Sequence, residues 1–86
     1  MVSSLEKAKA RLRGIPKDYT YDEARGLLQK LGYVEYNKGK TSGSRVCFAR
    51  QSDGKVILLH KPHPSPVMCV AAVKGLMLSL QRSGDI

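Results

Sequence analysis

Residues 45–59 read Arg-Val-Cys-Phe-Ala-Arg-Gln-Ser-Asp-Gly-Lys-Val-Ile-Leu-Leu. Val46 and Phe48 alternate with Arg45, Cys47 and Ala49, the two-residue period of a strand with one face buried. Gln51-Ser52-Asp53-Gly54 follows as turn chemistry, and its Asp-Gly pair tolerates the positive backbone angles of a tight hairpin. Lys55 to Leu59 is then a further strand, apolar on both faces from Val56 onward. A short turn between two such runs makes them an antiparallel pair.

On the N-terminal side, Asn37 to Ser44 (NKGKTSGS) is loop chemistry throughout, and Tyr33 to Tyr36 is short, aromatic and β-branched, as a first strand should be. The stretch before it is helical. Thr20 with Glu23 forms a capping box, Ala24, Leu27, Leu28 and Leu31 line one face, and Gly32 supplies the stop. A shorter helix, Ser3 to Arg13, is capped by Ser3 or Ser4 and ended by Gly14-Ile15-Pro16. At that length it must dock on the body or fray.

On the C-terminal side, His60 to Pro66 (HKPHPSP) holds three prolines and cannot be the interior of a strand or helix. Ser65-Pro66 fits an N-cap with proline at the first helical position, which predicts a last helix from about Pro66 to Arg82, closed by Gly84. Its stretch Val67–Val73 carries no polar residue, so that helix is either deeply buried or covers a partner. The predicted order is α-α-β-β-β-α.

The chain of 86 residues has room for one small core. No apolar run approaches the roughly 20 residues of a membrane crossing, and the start MVSSLEKAKAR lacks the apolar stretch of a secretory signal. Two cysteines, Cys47 and Cys69, are too few for a disulfide framework, so a cytoplasmic setting is expected. Cys69 reads as a core residue.

The net charge is +8 and it is unevenly spread. Residues 1–17 carry +4, residues 18–37 carry −2, and residues 38–61 carry +5 from Lys38, Lys40, Arg45, Arg50, Lys55 and Lys61 against Asp53. A compact excess of that kind fits a polyanion, because neutralised phosphates release their counterions. One Phe, four Tyr and no Trp argue against a stacking platform for single strands.

The ordered set LLQKLGYVEY (27–36), SGSRVCFARQSDGKVILL (42–59), HKPHP (60–64) and a closing helix running into SGDI resembles the HicA toxin family. The resemblance covers roughly residues 20–86. It divides the chain into a basic N-terminal helical extension, 1–17, and a HicA-like domain, 18–86. It implies an α+β domain like the double-stranded-RNA-binding fold, with a three-stranded antiparallel sheet and helices on one face. The activity implied is that of an mRNA interferase, an endoribonuclease working without metal or other cofactor. The implied partners are mRNA and a HicB-type antitoxin, with a homodimer left open.

The family's catalytic histidine follows a Gly-Ser step, and here Gly43-Ser44 is followed by Arg45. Arginine stays protonated and cannot be a general base, although it can hold a phosphate and stabilise charge developing on it. His60 and His63 remain, and histidine can serve as base or acid near neutral pH. A relocated site would use His60 or His63 with Arg45 and Lys61 as cationic partners. Lys38, Lys40, Ser44, Arg45, Arg50, Lys55 and Lys61 are the expected RNA-binding residues. The alternatives are a binding module that has lost its base at position 45, or a protein-interaction subunit using the apolar C-terminal helix. His60-x-x-His63 with the two cysteines matches no structural zinc spacing, and the loop Lys38 to Gly43 lacks the P-loop spacing.

Overall fold

A computed structural model of the chain describes residues 3–36, 45–62 and 65–86. The elements run α1 (Ser4–Arg13), α2 (Tyr21–Lys30), β1 (Val34–Tyr36), β2 (Arg45–Arg50), β3 (Lys55–His60) and α3 (Val70–Arg82), the order expected. The three strands form an antiparallel sheet in the order β1-β2-β3.

Strand alternation gives the sheet two unlike faces. Val46 and Phe48 of β2 and Ile57 and Leu59 of β3 are buried, joining Leu12 of α1, Ala24, Leu27 and Leu28 of α2, and Val73, Leu76 and Leu80 of α3 in one core. α2 and α3 pack against the strands from this side, and α1 packs on those two helices. The other face is open, with Val34, Tyr36, Val56 and Leu58 exposed. The fold is α+β in the layout the sequence predicted.

The capping box at α2 forms as read. Thr20 Oγ1 accepts from the Glu23 N–H at 3.2 Å, and the Glu23 carboxylate accepts from the Thr20 N–H at 3.2 Å. The same carboxylate takes Arg11 of α1 and its pKa is lowered by that guanidinium. With Leu12 fully buried, this pair docks the basic N-terminal helix onto the body. Ser3 is the N-cap of α1. After its C-cap at Gly14, Ile15 takes a left-handed φ of 48°. That is rare for a β-branched residue, and its side chain packs against the core.

The last helix starts later than Ser65-Pro66 predicts. Its N-cap is Cys69, and residues before it run extended along the start of α2. Tyr21 N–H donates to the Pro66 carbonyl at 2.9 Å, Met68 N–H donates to the Tyr19 carbonyl at 2.8 Å, and Thr20 and Val67 form an isolated bridge. These bonds outcompete an extra helical turn, and Ser65 Oγ instead accepts from the Val67 N–H at 3.2 Å. Cys69 is exposed as a result, not a core residue. Of the apolar run Val67–Val73, only Met68 and Val73 are buried.

Candidate nucleic-acid interface

The register sorts the open face into rows. Val34, Ala49 and Val56 form one row, and Tyr36, Cys47 and Leu58 the next. His60 follows on β3, exposed, and its partner on β2 is Arg45. Directly opposed residues of an antiparallel pair have Cβ atoms about 4.5–5.5 Å apart. Two candidate residues far apart in the chain thus become neighbours, a juxtaposition that residue types alone did not reveal.

Lys61, one residue on, falls on the opposite side of the strand. Its Nζ lies 5.7 Å from the centroid of the Tyr21 ring, within cation–π range. Lys38, Lys40, Ser44 and His63 lie outside the described residues.

Arg50 and Lys55 are partners at the other end of the hairpin, about 17 Å along the strand from Arg45 at a rise of about 3.4 Å per residue. Lys55 is exposed there. Arg50 is not available as a surface cation, contrary to the charge-based reading. Its guanidinium donates to Asp53 at 3.0 and 2.6 Å, to Asp85 at 2.8 and 3.2 Å and to the Leu31 carbonyl at 3.1 Å. It also lies 4.6 Å from the Tyr33 ring centroid. These bonds hold its pKa above the usual arginine value and push the Asp53 carboxyl down to about 2. For Asp85, burial works upward, but the hydrogen bonds from Arg50 and Ser83 outweigh it and the pKa is lowered. Arg50 therefore clasps the hairpin turn to the end of α2 and the chain terminus.

A corner of the molecule that the sequence did not single out is built around Glu35 of β1. The Tyr21 hydroxyl donates to Glu35 Oε2 at 2.8 Å, and Arg25 forms an ion pair with Glu35, Nε lying 3.0 Å from Oε1. Burial, with Glu35 second, pushes the Tyr21 phenol pKa upward, so the hydroxyl stays a donor. A cavity of about 390 Å³ opens here, lined by Tyr21, Asp22, Arg25, Glu35, Lys61, Pro62 and Pro66. The signal was present in the alternation of Val34-Glu35-Tyr36, which turns one acid to the helix side between two outward apolar residues.

Among the described residues, no group of three or more His, Cys, Asp or Glu side chains is placed to hold a metal ion. No helix among them is long and apolar enough to cross a membrane. Comparison with family models, with curated proteins and with solved structures finds no match to this chain.

Proposed function

We propose that this chain is a HicA-like endoribonuclease, the toxin of a toxin–antitoxin pair, with its base moved from β2 to β3. The observation that supports this most is the register that sets His60 opposite Arg45, the position after Gly43-Ser44 where the family keeps its histidine. A base lost from one strand is regained in the same row on its neighbour.

The chemistry needs no more than a base, a proton donor and a cation. His60 takes the proton of a ribose 2′-hydroxyl as that oxygen attacks the adjacent phosphorus. The bond from phosphorus to the 5′-oxygen breaks, and His63 returns a proton to the leaving oxygen. Arg45 stabilises the charge that grows on the phosphoryl oxygens. The products are a 2′,3′-cyclic phosphate and a 5′-hydroxyl. The +5 segment 38–61, Lys61 included, favours the approach of the RNA backbone.

The apolar rows beside this pair supply the surface for an antitoxin. Val34, Val56 and Leu58 are each more than half exposed, and a contiguous apolar face of that kind marks a protein contact. A protein seated there would cover His60 as well, which couples binding to inhibition.

Induced expression tests the reading. The parent chain arrests growth, co-expressed antitoxin relieves the arrest, and His60→Ala abolishes it while Lys74→Ala does not. An arrest that survives His60→Ala overturns the relocated site. RNA binding with no arrest and no cleavage would make the chain a binding module.

A further inference from the structure

We propose that the cavity beside Glu35 is a guanine subsite, which gives the RNA reading above, on which it rests, a base preference. The carboxylate of Glu35 is pre-aimed: Tyr21 holds Oε2 at 2.8 Å and Arg25 holds Oε1 at 3.0 Å. A carboxylate offers about four lone-pair sites, so one remains free on each oxygen. Two free acceptors side by side match two parallel N–H donors. Among the four RNA bases only guanine presents that pair on one edge, as N1–H and N2–H, with the O6 acceptor next to them. Adenine and cytosine present an amino donor beside a ring acceptor, and uracil presents a lone N–H between two carbonyls.

The rest of the corner fits the remaining groups of the base. Arg25 is ion-paired to Glu35 through Nε, and its guanidinium brings further N–H donors to the same corner, the group type that O6 would take. Pro62 and Pro66 give flat apolar walls, and Pro66 is fixed by the Tyr21 N–H on its carbonyl at 2.9 Å. Lys61 stands over the Tyr21 ring at the rim, a cation for the attached phosphate. The cavity, about 390 Å³, falls within the usual range for a small-molecule site. Lys61 directly follows His60, so this corner meets the Arg45–His60 row at the end of β3, on the opposite side of the sheet.

The test uses the full chain and mononucleotides as probes, with affinities read by NMR titration. GMP binds at least ten-fold more tightly than AMP, CMP or UMP. Inosine monophosphate, which lacks only the 2-amino group, binds about ten-fold more weakly than GMP, the loss of one hydrogen bond to a charged acceptor. In Glu35→Gln, which keeps an acceptor for Tyr21, GMP and inosine monophosphate bind alike, and Arg25→Gln weakens both. Equal affinity for all four bases, or a preference that survives Glu35→Gln, overturns the subsite. The two proposals fail separately. RNA cleavage without base preference removes the subsite and leaves the ribonuclease, whereas selective GMP binding by a chain that does not cut RNA removes the ribonuclease and leaves the pocket.

Discussion

The two faces of one hairpin are both apolar, and they do different work. On the helix side, Val46, Phe48, Ile57 and Leu59 are buried in the core shared with the helices. On the open side, Val56 and Leu58 are 60% and 59% exposed. Folding explains the first set completely, since each gains from leaving water. It does not explain the second, because a polar residue at Val56 or Leu58 would serve the sheet equally well. This is apolar surface beyond what the core requires, next to an exposed histidine, and the proposed function gives it to a partner. The two arginines of β2 sharpen the contrast. The Arg50 side chain is held by two aspartates and a carbonyl at the turn end, and at the other end of the strand Arg45 is the register partner of His60.

The contrast breaks most visibly in the core. Phe48→Ala removes a fully buried ring at the centre of the covered face, and about 3–5 kcal/mol of unfolding free energy should go with it. That is a large share of the roughly 5–15 kcal/mol that holds a domain together, and urea unfolding would read it. Leu58→Ser, one strand over on the open face, should leave the same measurement within about 0.5 kcal/mol. A large loss for Leu58→Ser would mean that the open face is part of the core after all.

Next in size is the clasp at the turn. The Arg50 and Asp85 side chains are 13% and 12% exposed, and Asp85→Asn leaves the guanidinium with one carboxylate fewer, a cost of about 2 kcal/mol. The pH dependence has a definite sign. Both Asp53 and Asp85 have lowered pKa values, so their contribution is full above the unfolded value of 3.8 and is lost as pH falls through the folded one. Stability of the parent should therefore fall from about pH 4 down to about 2, the value reached by Asp53. Asp85→Asn should flatten that fall. A parent whose stability is level across this window would contradict the clasp.

Thr20→Ala is smaller, about 1 kcal/mol for the lost N-cap of α2. Smallest in stability is Leu58→Ser again: under the proposed function, the variant should still arrest growth yet escape relief by a co-expressed antitoxin. If relief is undiminished, the antitoxin covers another surface.

What the sequence revealed depended on whether the deciding interactions were local. Thr20 and Glu23 are three residues apart, and the Gln51–Gly54 turn carries its own chemistry, so α2 and the hairpin could be read directly. The start of α3 could not, because Tyr19 and Tyr21 compete for the backbone of Pro66–Met68 across the molecule. The same holds for Arg50, which looked like one more base until Asp85 closed on it from the chain's end. The neighbourhood of Arg45 and His60 is a matter of register, and the Glu35 corner needs three elements to meet. Charge marked the region; only the fold sorted its members.

The most direct measurement is cleavage of a long unstructured RNA by the purified chain, with a chelator present, for the parent, His60→Ala and Arg45→His. The parent should cut, leaving 2′,3′-cyclic phosphate ends, and His60→Ala should lose at least about 100-fold in rate, the range of a removed general base. Cutting by Arg45→His alone, with a silent parent, would contradict a site rebuilt around His60 on β3.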